Sequence, residues 1–221
     1  MEQNPGRPSL ENTFSITSLI EVAAVVLTGV LHLVLVNAFK ARAVFIGLSL
    51  FGWVLYIAMR IRKEGRLIGA WGFSKENLRS ALNASTIVAV AGMAVMFGLA
   101  SVRGSLSISW HMVPLLLFYP IWGFIQQFLV QALVVGNLSR AHGVIGSWWM
   151  LTLISAVLFA TVHLPDLALS FATLLLGFAF TPIYLRWRNL WPLGLYHGWL
   201  GVFMYFWVLK RDPWMELLSS L

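Results

Sequence analysis

Residues 81–102 carry no Asp, Glu, Lys or Arg, and uncharged apolar runs of about that length recur along the chain. A run beyond about 18 residues is long enough to cross the hydrocarbon of a bilayer as a helix. Helices are the economical solution there, because every backbone polar group in lipid needs an internal partner. The expected fold class is therefore all-α, a polytopic integral membrane helical bundle. Spans are expected at residues 16–38, 44–59, 81–102, 110–137, 144–163, 167–185 and 191–209, about seven transmembrane helices. Residues 1–15 read as a polar N-terminal tail and residues 16–210 as a single transmembrane domain. With 59% apolar and only 10% charged residues, no separate soluble domain is expected.

The net charge of +7 is not a nucleic-acid signal, because the cations sit beside apolar runs. In that position they set topology and meet anionic lipid, so the bilayer itself is the expected partner and nucleic acid is not. Alternating the connections between sides puts ten cations on the N-terminal side and five on the other. That bias predicts a cytoplasmic N-terminus. Arg60, Arg62, Lys63, Arg66, Lys75 and Arg79 supply six of the ten, interleaved with Leu67, Ile68, Trp71 and Phe73. Such a segment suits a membrane surface with its apolar side chains dipping in. An ordinary positive-inside loop explains it as well, and is preferred. The absence of cysteine removes thiolate nucleophiles and cysteine metal sites. The first fifteen residues have neither the layout of a cleaved signal peptide nor a glycine at position 2 for myristoylation.

The chemistry concentrates in span four, where Gln126, Gln127 and Gln131 interrupt an apolar run. Amides facing lipid are costly, so these should face protein or water. Helical spacing puts Gln127 and Gln131 on one face, with Trp122 and Gln126 on the adjacent stripe. Span five carries Ser155, Phe159 and His163 at intervals of four. Span seven carries His197 among Gly194, Gly198 and Gly201, whose spacing lets a neighbouring helix approach closely. A lone histidine in a bundle is most simply a cross-helix hydrogen bond. Two histidines and three glutamines on neighbouring spans instead suggest one polar cavity. Glu21 and His32 in span one are read as bundle-facing or interfacial polar residues. On straight, untilted helices His163 and His197 would differ in depth by roughly 15 Å, so a shared cavity requires tilt.

Several intramembrane chemistries are excluded. No Gly-x-Ser-Gly nucleophile turn and no His-Glu-x-x-His helix are present. The only aspartates, Asp166 and Asp212, lie at span ends. Two histidines are too few for a zinc site, which needs three or four protein ligands. No metal and no cofactor is expected.

The order of polar sites resembles the CPBP family of CAAX-protease and bacteriocin-processing membrane proteins. Its pattern is Glu-Glu-x-x-x-Arg, then Phe-x-x-x-His, then His-x-x-x-Asn or Asp on successive helices. Here the three places read Gln126-Gln127-Phe-Leu-Val-Gln131, Phe159-x-x-x-His163 and His197-Gly-Trp-Leu-Gly201. Gly72-Phe73, Asn77-Leu78-Arg79, Leu176-Gly177, Tyr184 and Asn189-Leu190-Trp191-Pro192 resemble the linking stretches, so the likeness covers about residues 65–205. It implies an intramembrane endopeptidase in a bacterial inner (plasma) membrane. The first glutamate there activates water, while the histidines and asparagine hold water and the oxyanion.

The departures are as informative as the match. Glutamine cannot accept a proton near neutral pH. With both acids gone, the arginine that would balance them is gone too, leaving a neutral amide network with no unpaired buried charge. Gln126, Gln127, His163 and His197 thus occupy the family's catalytic positions, and Gln131, Trp122, Phe159 and Gly201 flank them as binding residues. Three readings follow: a homologue with an inactive or altered site that binds a membrane-embedded peptide or protein partner, which is preferred; an active endopeptidase using a histidine base; or an unrelated membrane carrier or scaffold.

Overall fold

The structure, a computed structural model, describes residues 15–39, 42–141 and 147–219. Residues 1–14 of the expected tail, and the beginning of expected span five at residues 144–146, lie outside the described residues. The chain folds as α1 (Ile16–Phe39), α2 (Arg42–Lys63), a single turn α3 (Leu67–Ala70) and α4 (Leu78–Val102). Next comes α5 (Met112–Gln127), which runs on as a π-helical segment Phe128–Val135 into α6 (Gly136–Leu138). Then follow α7 (Trp148–Thr161), α8 (Leu167–Trp187), α9 (Trp191–Phe203) with its π-helical continuation Met204–Leu209, and α10 (Pro213–Ser219). No strand occurs among the described residues.

Among the described residues, five helices are long and apolar enough to cross a membrane: Ile16–Leu35, Val44–Lys63, Leu78–Val102, Met112–Leu138 and Leu167–Trp187. This differs from the expected count of about seven. In α7 only 14 residues are helical, because Val162 already caps it and His163 lies on the turn beyond. In the Trp191–Leu209 stretch, Pro192, Tyr196, His197 and three glycines dilute the apolar run.

The core forms where the π-helical segment meets α8 and α9, around the fully buried Leu133, Phe180, Tyr184, Leu190 and Leu193. The helix pairs beside it pack through small residues, as van der Waals association in lipid favours. A Cβ on Gly123 would strike the Gly194 carbonyl, and one on Gly198 the backbone of Pro120, so α5 and α9 touch backbone to backbone. Gly177 of α8 lies equally close to Ala156 of α7.

The connections sort to two ends. At one, Leu190 N donates to Gly72 O at 2.9 Å and Asn189 Nδ2 to Ser74 O at 2.9 Å, and Arg188 Nη2 reaches Ser139 Oγ at 2.7 Å. The 60–79 segment therefore shares an end with residues 136–140 and 186–190. Within it Trp71 is only 5% exposed and meets Phe128 edge-on at 5.1 Å, with Phe73 beside it. These rings pack inward onto the core, where their apolar area gains more than at a headgroup surface, contrary to the dipping arrangement weighed from sequence. At the other end Ser105 Oγ donates to Trp207 O at 2.6 Å, and Arg211 Nη1 lies 3.1 Å from Asp166 Oδ2.

Candidate functional site: a polar cavity inside the bundle

A cavity of about 1210 Å³ lies among α1, α2, α4, α5, α7, α8 and α9. Its lining runs from mid-bundle to the end that carries Arg103, Asp166 and Arg211.

Of the expected site residues, Trp122, Gln126, Phe159, His163, His197 and Gly201 all line this cavity. Trp122 and Gln126 lie one turn apart on α5, so the stripe assigned from spacing faces the opening. The Phe159 ring joins the two histidines. It meets His163 edge-on at 5.2 Å and His197 edge-on at 5.1 Å. Because Phe159 lies one turn before His163, its ring bridges the difference in depth that straight helices impose.

The two imidazoles are held differently. His163 Nδ1 lies 2.7 Å from the Phe159 carbonyl oxygen. A carbonyl only accepts, so Nδ1 carries the hydrogen and, in the neutral ring, Nε2 keeps its lone pair. His197 is 6% exposed, with Nδ1 3.5 Å from Gln127 Nε2. Its ring lies between Gln127 of α5 and Phe159 of α7, and the closeness of α5 follows from the glycine crossing.

Gln127 and Gln131 are buried but do not line the cavity. Gln127 turns to His197. Gln131 donates from Nε2 to Thr181 Oγ1 at 3.1 Å, and Thr181 donates in turn to Ser155 Oγ at 2.9 Å. This uncharged chain ties the π-helical segment to α8 and α7. Both glutamines turn away from the opening, in keeping with their spacing of four along the helix. Gln131 is accordingly an internal tie and lies away from the opening, in contrast to the binding role assigned from sequence. The Oε1 atoms of Gln127 and Gln131 have no hydrogen-bond partner among the described residues.

Gly201 backs onto Tyr119: a Cβ there would lie 2.8 Å from Tyr119 Cε1. The tyrosine ring therefore occupies the space that a longer side chain at 201 would need. Tyr119 lines the cavity three residues before Trp122, a helical stripe that spacing could have revealed. Asp166, also on the wall, accepts from Leu169 N at 3.0 Å and from Arg211 Nη1 at 3.1 Å, so both its oxygens are engaged. No glutamate lines the cavity among the described residues. No group of three metal-ligating side chains occurs among them either.

A second buried polar cluster joins the first two helices to the rest. Glu21, 3% exposed, accepts from Tyr56 Oη and Asn137 Nδ2, both at 2.6 Å, and lies 3.3 Å from Arg60 Nε. It faces the bundle, and its charge is balanced where α1, α2 and α6 meet.

Residues 108–203 match the family model described as type II CAAX prenyl endopeptidase Rce1-like. The matched stretch includes each motif position, from Gln126 to Gly201. No curated protein and no solved structure gives a match. Over this stretch the chain is similar to CAAX-type intramembrane proteases, and its apolar helices make it an integral membrane protein.

Proposed function

We propose that this chain is a CAAX-protease-type membrane protein that binds a membrane-embedded peptide segment without hydrolysing it. The observation that carries this reading is the chemistry at the two glutamate positions. Gln126 faces the cavity and Gln127 is spent on His197, and neither amide can take a proton from water. The carboxylate on the wall, Asp166, is committed to Arg211 and to the first turn of α8. An extended peptide backbone could instead exchange hydrogen bonds with Gln126 and His163.

A single domain over 16–210 with seven crossings follows if the short α7 and the stretch Trp191–Leu209 also span. The cation bias then puts the N-terminus in the cytoplasm of a bacterium and the Arg103–Asp166–Arg211 end outside. The gathering of residues 60–79, 136–140 and 186–190 at one end supports that assignment.

One observation favours the second reading, an active endopeptidase. The lone pair on His163 Nε2 makes that ring a base-competent group in the cavity. A cleavage assay separates the two. Purified protein in vesicles is expected to leave a membrane-tethered peptide intact while the peptide is retained in a Gln126-dependent manner. Robust cleavage that His163→Ala abolishes would overturn the noncatalytic reading.

A further inference from the structure

The residues discussed so far account for only one side of the cavity. A further wall is built by the α1–α2 hairpin together with α4 and α8, and it is mostly apolar: Ile46, Leu50, Trp53, Val95, Leu175 and Leu176, with Ser49 on α2 among its few polar residues. This hairpin lies outside the residues that match the family model. Its threonine, Thr28, spends its hydroxyl on the Ala24 carbonyl at 2.8 Å, and Thr173 across the slot does the same with Leu169. A peptide backbone entering this slot would find few partners for its amides, each costing about 1–3 kcal/mol when left unpaired. An aliphatic chain loses nothing there.

The mouth of the slot is different. Gly29 lets α1 approach the end of α7, since a Cβ there would lie 2.9 Å from Val162 Cγ1. One turn further on, His32 lines the cavity, its ring 5.7 Å from that of Phe45. The mouth also carries two guanidinium groups. Arg211 is saturated, bonded to Glu216 through Nε and Nη2 at 2.6 and 2.9 Å and to Asp166 at 3.1 Å. Arg103, at the C-terminal end of α4, has no ion pair among the described residues and faces the same cavity.

We propose that the slot is a binding site for an anionic phospholipid, with its phosphate at Arg103 and His32 and an acyl chain along the α2, α4 and α8 wall. The lipid chemistry follows from the pairing of a free guanidinium, which binds phosphate bidentately, with an aliphatic channel beginning at the level where a span ends. The whole cavity, of which the slot is one side, measures about 1210 Å³, above the roughly 300–1,000 Å³ of ordinary ligand pockets, so it has room for an acyl chain beside the glutamine–histidine side. The site stands whether or not the neighbouring glutamine–histidine side is catalytic.

Trp53 on the slot wall is a built-in reporter, because brominated acyl chains quench indole fluorescence on contact. The full-length protein is reconstituted in vesicles carrying brominated phosphatidylglycerol or brominated phosphatidylcholine, and the Trp53-dependent signal is taken against Trp53→Phe. The expected result is stronger quenching by the anionic lipid, a preference that Arg103→Gln lowers about tenfold, as loss of one charge-assisted contact predicts. Arg66→Gln, at the opposite end, should leave the preference intact. Ala91→Phe, which fills the slot, should reduce quenching by both lipids. Equal quenching by the two lipids would overturn the proposal. So would a preference that survives Arg103→Gln in protein with an unchanged melting temperature, or one that Arg66→Gln lowers as much.

Discussion

Gln127 and His197 meet across the α5–α9 crossing, Nε2 and Nδ1 3.5 Å apart and both side chains buried. The glycines at that crossing make the distance possible, because Gly123 and Gly198 let the two backbones touch. The contact also divides two adjacent glutamines between different tasks. Gln127 orients an imidazole, while Gln126, turned about a quarter of the way round the helix, faces the cavity.

The first prediction uses that division. Gln126→Glu places a proton acceptor in the cavity and is expected to give measurable cleavage of a membrane-tethered peptide. General-base catalysis contributes about 100- to 10,000-fold where the geometry is right. Gln127→Glu places its carboxylate against His197, off the cavity, and should give none. Activity in Gln127→Glu alone would show that the two positions have been assigned the wrong way round.

The second concerns the chain from Gln131 through Thr181 to Ser155. Thr181→Val leaves the Gln131 amide without its acceptor, and should lower stability by about 1–3 kcal/mol. Adding Gln131→Leu removes the stranded amide and should recover part of the loss. Unfolding of the single and double variants in detergent measures both steps.

The third concerns the buried carboxylate of α1. Glu21→Ala leaves Arg60 paired with Glu64 alone and takes an acceptor from Asn137 and Tyr56, an expected loss of about 1–3 kcal/mol. Because Glu21 ties α1 to α2 and α6, the loss should appear as earlier proteolysis of the first two helices than of the remaining bundle. Uniform loss of the whole bundle, with no early step, would contradict that placement.

The fourth concerns topology. The chain has no cysteine, so single introduced thiols report cleanly. Lys75→Cys should be shielded from an impermeant thiol reagent added outside intact cells, and Arg103→Cys should react. The reverse pattern would invert the orientation of the cavity mouth.

Much of the architecture was legible in the sequence. Apolar run lengths identify membrane helices because lipid forces each backbone polar group to pair within its own segment, a local demand that a linear pattern records. The stripe from Trp122 to Gln126 and the close approach of some helix to the glycines of α9 were likewise readable, since both rest on helical periodicity and residue size; that the helix is α5 was not. The number of spanning helices was less so, because α7 ends at Thr161, two residues before His163, where the chain turns.

What only the tertiary structure decided is where each polar atom finds its partner. Gln127 and Gln131 were expected at the opening, yet both turn into the bundle, Gln127 to His197 and Gln131 to Thr181. Phe159 links His163 to His197, Tyr119 fills the space behind Gly201, and His32 joins the same cavity from a helix far away in sequence. None of these follows from spacing along one segment. Side-chain hydrogen bonds inside the bundle are long-range and directional, set by how helices cross, whereas the spans themselves are fixed one helix at a time by transfer into lipid.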